Sequence, residues 1–172
     1  MRSLVLFMLI GFAVACVDER KKVLPFEDSK DYKMTMILSH QEFLKKEKSR
    51  IKIFIDSLGL PFEATGTGLR YSIYQSNAGD SIQSKDFVFI KYVLTSLEGD
   101  TLYQSPQGKL QEFIVDYDNV ESGLHEGIKR MRVGEKAYFI LPAHLAHGIS
   151  GDNAAISSQT TLVYNIHLVS KK

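Results

Sequence analysis

Few side chains in this sequence are placed to do chemistry. Cys16 is the only thiol of the chain, which rules out an intramolecular disulfide and any multi-thiolate zinc site. His144 and His147 stand three apart just after Pro142, and His125 offers a third imidazole. No thiol supports them, and the pair falls in what reads as a loop, so they are assigned to structural or pocket roles and no metal site is expected. Ser157 and Ser158 lack a partnered base or an elbow motif, which removes nucleophilic hydrolysis. The chain of 172 residues carries 21 basic and 20 acidic side chains. That balance supplies no excess cation to neutralise phosphates, so no nucleic-acid partner is expected. An apolar share of 44% and a charged share of 24% belong to one ordinary globular domain with an appendage.

Cys16 takes its meaning from the residues before it. Met1-Arg2 brings one positive charge, Leu4 to Ala15 are apolar without interruption, and the Cys follows at once. That run is shorter than the roughly 20 residues a membrane-spanning helix needs. It reads as the core of a signal peptide, and Ala13-Val14-Ala15-Cys16 resembles the bacterial lipoprotein signal, in which cleavage precedes a Cys that then carries acyl chains. Cys16 is therefore the expected lipidation site, and two or more acyl chains give stable anchoring to a bilayer. Cleavage removes Arg2 and no acid, which leaves the mature chain formally neutral. Asp18-Glu19 resembles an export signal of some lipoproteins of the Bacteroidetes. The expected location is the bacterial cell envelope, membrane-anchored, facing either the periplasm or the cell surface.

Behind the leader, the elements that must position any site can be read from periodicity. Residues 16–38 read as a tether. Ser39 followed by Glu42 has capping-box spacing, and a helix is expected from about residue 40 to 58 within a segment 39–62. Leu44, Ile51, Phe54, Ile55 and Leu58 form its apolar stripe, and Lys45-Lys46-Glu47-Lys48 to Arg50 its solvated face. Gly59 and Pro61 stop it. From residue 66 onward the period turns to two. Strands are expected at Leu69 to Tyr74, Phe87 to Leu94, Phe113 to Val115, Ala137 to Leu141 and from Leu162 onward, with Glu98-Gly99-Asp100 as a hairpin turn. Between the third and fourth strands Asp118 or Asn119 should cap a helix carrying Val120, Leu124, Ile128 and Met131. An α+β domain over residues 66–172 follows, with an antiparallel sheet covering one helix.

Four blocks within this domain resemble the FK506-binding-protein (FKBP) family of peptidyl-prolyl isomerases. They are Lys91-Tyr92 with Gly99, the run Gly123-Leu124-His125-Glu126-Gly127 to Met131 and Gly134-Glu135, Leu141-Pro142 with Gly148, and Thr161-Leu162-Val163-Tyr164. The resemblance implies an FKBP-like antiparallel half-barrel wrapped round one helix, here preceded by an amphipathic helix. It also implies a shallow apolar pocket for a proline ring, with no cofactor. Together with the leader it looks like the gliding-motility-associated FKBP-type lipoproteins of Bacteroidetes.

Carried over position by position, the resemblance makes Tyr92, Leu102, Val120, Leu124, Ile156 and Tyr164 pocket walls that bind substrate. Glu121 contributes its backbone N–H, while Asp118 and Glu121 also have capping-box spacing. Tyr92, Tyr103 and His147 fall at the positions of groups acting on the twisted amide. Tyr103 replaces an Asp usual in active members, His147 a Tyr, Leu102 a Phe, and Gln111 an aromatic wall. The function so implied is an isomerase acting on proline-containing polypeptides, assisting the folding of exported or envelope proteins. The alternative is a weakly active FKBP-fold binding module or chaperone within a gliding or secretion machinery. An open cleft favours the first and a cleft filled by Tyr103 the second.

Overall fold

Alternating apolar residues settle most of the sheet, whose strands bury every second side chain against a helix. The computed structural model describes residues 30–172. The expectations for the leader, Cys16 and the first part of the tether lie outside the described residues. The chain divides at Ser39/His40, and residues His40–Lys172 form one compact unit.

The strands are β1 (Glu63–Ala64), β2 (Arg70–Gln75), β3 (Phe87–Thr95), β4 (Thr101–Gln104), β5 (Gln111–Ile114), β6 (Lys136–Leu141) and β7 (Leu162–Lys171). They form one antiparallel sheet in the order β1-β2-β6-β7-β3-β4, with β5 also paired to β3. The helices are α1 (Lys30–Leu58) and α2 (Ser122–Ile128), and a 3₁₀ turn spans Ala143–Leu145. The α+β half-barrel expected from sequence is present.

The short α2 lies against the inner face of the sheet, with Leu124 and Ile128 buried in the main core. Its two glycines permit that approach. A Cβ on Gly127 would stand 2.7 Å from the Phe139 ring, and one on Gly123 would stand 2.5 Å from Leu141 Cγ. These glycines of the sequence motif are therefore packing residues, required because the helix axis runs close over β6. At the motif's other end the buried carboxylate of Glu135 accepts the N–H groups of Arg132 at 2.7 Å and Asn77 at 3.3 Å.

The outer face is covered as well. Ile51 of α1 joins Ile140 and Val163 in a second cluster, with Phe54, Ile55, Phe62, Leu97 and Tyr138 around it. This is why β6 carries a nearly continuous buried run rather than a clean alternation. Of the apolar stripe of α1, Ile51, Phe54 and Ile55 pack on the sheet, while Leu44 stays 40% exposed.

Several local expectations are corrected. The helix α1 begins at Lys30, so residues 30–38 of the expected tether are helical, and Ser39 lies inside the helix rather than at its cap. Its residues 31–42 are exposed, and an exposed helix has no apolar period by which to announce itself. Glu47, placed on the solvated face, is 5% exposed and accepts the Ala143 N–H at 2.8 Å and the Thr161 hydroxyl at 2.7 Å. Asp118 does not cap α2, because its carboxylate takes the Ile114 N–H at 2.8 Å. Glu121 occupies the N-cap position without a side-chain cap bond.

Candidate functional site

Between α2 and the inner sheet face opens a cleft of about 550 Å³. Its floor is apolar because β3 turns Ile90 and Leu94 inward and β5 Phe113, and α2 adds Leu124. Val120, Ile156 and the rings of Tyr92 and Tyr164 form its sides. Leu94 and Tyr164 are cross-strand partners, and the Tyr92 and Tyr164 rings meet with centroids 5.4 Å apart at 54°. Strand register thus holds both tyrosines in one fixed wall.

Polar groups sit in that frame at defined places. The Tyr164 hydroxyl donates to both oxygens of Glu121, at 2.9 and 3.0 Å. His147 Nε2 lies 3.2 Å from Glu121 Oε1. Burial, reinforced by the Glu121 charge and hydrogen bond, pushes the Tyr164 phenol far above its ordinary value, so it remains a neutral hydroxyl. Burial likewise raises Tyr92, with smaller contributions from Glu121 and Tyr103. On the far rim the Tyr103 hydroxyl donates to Asp152 Oδ2 and accepts the Ala155 N–H at 3.4 Å. The Tyr103 hydrogen bond holds the Asp152 carboxyl below the usual carboxylate value. Asp152 Oδ1 accepts the N–H groups of Ala154 and Ile156, both at 2.8 Å, which shapes the loop carrying Ile156.

Among the cleft's donors without a partner among the described residues are the Tyr92 hydroxyl and the backbone N–H of Glu121, besides the side-chain amides of Gln111 and Asn119. Backbone donors are seldom left orphaned in folded proteins, so the first two are available to an incoming carbonyl.

The structure brings together Tyr92, Tyr103, Val120, Glu121, Leu124, His147, Ile156 and Tyr164 around this one cleft. Leu102 does not line it, because its side chain packs against the main core from β4. Gln111 is at the wall where the sequence placed it. Tyr103 stands at the rim, drawn to Asp152, and leaves the cleft open. His125 and His144 are elsewhere. His125 accepts the Asp116 N–H at Nδ1, 3.0 Å, with Nε2 3.0 Å from the Asp118 carbonyl, and His144 Nε2 lies 2.8 Å from the Thr67 carbonyl. Sequence reasoning missed Asp152, Asn119, Ser122 and Ala146 as lining residues. Asp152 follows Gly151 in the loop before the last strand, and nothing in its sequence surroundings marked it as part of the rim.

Comparison with known proteins agrees with this geometry. The model of the family described as FKBP-type peptidyl-prolyl cis-trans isomerase matches residues 79–169. A probable FKBP-type peptidyl-prolyl cis-trans isomerase of Haemophilus influenzae is 28% identical over 111 residues, 64% of this chain and 46% of that protein. The FKBP-type peptidyl-prolyl cis-trans isomerase FkpA of Aeromonas hydrophila is 26% identical over 153 residues, 88% of this chain and 56% of that protein. The chain therefore spans about half the length of these curated relatives. The crystal structure of FkpA from Escherichia coli superposes with a TM-score of 0.67 at 26% identity, covering 81% of this chain and 64% of that one. A peptidyl-prolyl cis-trans isomerase from Pseudomonas syringae shares the fold at a TM-score of 0.66, 23% identity, covering 77% of this chain and 95% of that one.

Proposed function

Because the chain belongs to the FKBP-type peptidyl-prolyl cis-trans isomerase family, we propose that its cleft binds proline-containing segments and speeds rotation about the X–Pro bond. The observation that carries this reading is the open apolar cleft with two unpartnered donors, the Tyr92 hydroxyl and the Glu121 N–H, on its border. Uncatalysed rotation must cross roughly 18–20 kcal/mol because amide resonance is lost in the twisted state. No covalent bond forms or breaks. The site has only to bind the twisted amide better than either planar form, and each 1.4 kcal/mol of that preference gives about tenfold in rate.

The residues divide this work by position. Val120, Leu124, Ile156 and the tyrosine rings receive the pyrrolidine and exclude water, which disfavours the charge-separated planar amide. The Tyr92 hydroxyl and the Glu121 N–H fix flanking carbonyls, holding the backbone on either side while the central bond turns. Tyr103 and His147 enter through their partners: the first spends its proton on Asp152, and the second faces Glu121 with Nε2.

The same two commitments support a second reading, a proline-binding module with little turnover. Isomerisation of proline tetrapeptides, together with refolding of a substrate limited by a prolyl bond, separates the two. Acceleration that is lost on Tyr92→Ala with the fold retained supports the enzyme. No acceleration at high protein concentration, with peptide still bound, supports the module.

We place the chain in a bacterial envelope, attached through acylated Cys16 and assisting exported proteins. The support for this is the uninterrupted apolar run that ends on the only Cys of the chain. A role in a gliding or secretion machinery rests on resemblance of the leader and domain arrangement alone.

A further inference from the structure

The Glu121 carboxylate is an unusual occupant of an apolar cleft. Its side chain is 10% exposed, and its ion-pair partner among the described residues is His147, not a lysine or arginine. No lysine or arginine lines the cleft at all. The carboxylate accepts hydrogen bonds from Tyr164 and His147 in place of an ion pair with a lysine or arginine.

Those two bonds decide what the neighbours can offer a ligand. Tyr164 has one hydroxyl proton, and it goes to Glu121, so the phenol presents lone pairs alone. His147 directs Nε2 at the carboxylate, which places its proton there. Its Nδ1 has no hydrogen-bond partner among the described residues and carries a lone pair while the ring is neutral. Asp152, kept ionised by the Tyr103 hydroxyl and two backbone N–H groups, adds a carboxylate on the opposite rim. The atoms that Tyr164 and His147 leave free beside Glu121 are thus acceptors, while Tyr92 O–H and Glu121 N–H are donors suited to peptide carbonyls.

Resting on the isomerase reading of this cleft, we infer that Glu121 is a specificity-determining residue that makes prolyl segments with a Lys or Arg flanking the proline the preferred substrates. A lysine brings three donors and an arginine five, with the charge the wall lacks. An acidic residue in the same place meets two like-charged carboxylates, Glu121 and Asp152. A charge-assisted contact of this kind at a partly solvated rim is worth about five- to tenfold in kcat/KM.

The test uses one tetrapeptide framework in which the residues beside the proline are Leu, Gln, Lys or Glu, with isomerisation followed by NMR exchange so that no protease enters. The expected order is Lys above Gln above Glu, with a Lys-to-Glu ratio near tenfold or greater that collapses in Glu121→Gln. Equal rates for Lys and Glu, or a ranking that Glu121→Gln leaves intact, overturn the inference. If Glu121→Gln does not fold, the native protein decides: acetylating the lysine Nζ of the peptide removes its charge and must bring its rate down to that of the Gln peptide, and an advantage that survives acetylation overturns the inference. If no peptide is accelerated, the isomerase reading fails, and shifts of the Tyr92 and Tyr164 resonances on titrating the same peptides decide the charge preference separately.

Discussion

At the scale of single residues, environment rather than identity sets behaviour. His167 shows this most clearly. Strand register sets it directly opposite Lys91 on β3 and Lys136 on β6, so one row across three strands carries two lysines and an imidazole on the outer face. Partial burial first, then Lys136 and Lys91, lower its pKa from the ordinary histidine value. A lowered folded-state pKa means that the unfolded chain takes up a proton first as pH falls. The stabilisation is therefore present above about pH 6.5 and is lost as pH drops through the lower, folded value. Chemical denaturation at pH 7.5 and pH 5 should show wild type losing more stability on acidification than His167→Gln. Equal losses would show that His167 is indifferent to its two lysines. The window is separate from that of Asp86, Asp116, Asp152 and Glu98, whose carboxyls are held below the usual range by hydrogen bonds and ion pairs and whose contributions fade only nearer pH 4.

At the scale of elements, what the sequence displayed was what the fold buries on one side. Strands β3, β6 and β7 and the glycine-bearing motif of α2 were legible because their apolar spacing is the spacing of the core. Strand β4 was not, since only Leu102 of its four residues is partly buried, and Leu102 was assigned to the pocket through the family resemblance alone. The start of α2 was misjudged because Asp118 and Glu121 have capping spacing, yet each finds a stronger local partner, the Ile114 N–H and the Tyr164 hydroxyl respectively. Glu47 is the parallel case on α1. A charged residue among lysines reads as solvated, but the helix meets the sheet at that turn and Glu47 satisfies the Ala143 N–H and the Thr161 hydroxyl there. Removing it leaves two buried donors unpaired, which costs about 1–3 kcal/mol. Glu47→Ala should therefore lower Tm by several degrees. Glu42→Ala, on the exposed face and paired only with Lys46, should stay within about 0.5 kcal/mol of wild type. A thermal melt in which the two variants coincide would show that Glu47 does not tie α1 to the sheet.

At the scale of the whole molecule, the family domain, the helix laid on its outer face and the segment before Lys30 have different physical tasks. The charges of the chain nearly cancel, with 21 basic and 20 acidic residues, which leaves little net attraction to an anionic lipid surface. No helix among the described residues is long and apolar enough to cross a membrane. The anchoring proposed above is assigned to acyl chains on Cys16, where each buried CH₂ would contribute about 0.8 kcal/mol. An anchor of that kind has a signature that electrostatic adsorption lacks. In cells, the wild-type chain should take up labelled fatty acid and stay with the membrane fraction through a high-salt wash. Cys16→Ser should lose the label and leave that fraction. Since Cys16 lies outside the domain that forms the cleft, the purified variant should isomerise proline peptides at the wild-type rate. Label retained by Cys16→Ser, or wild-type protein released by salt alone, would exclude acylation of this residue as the means of attachment.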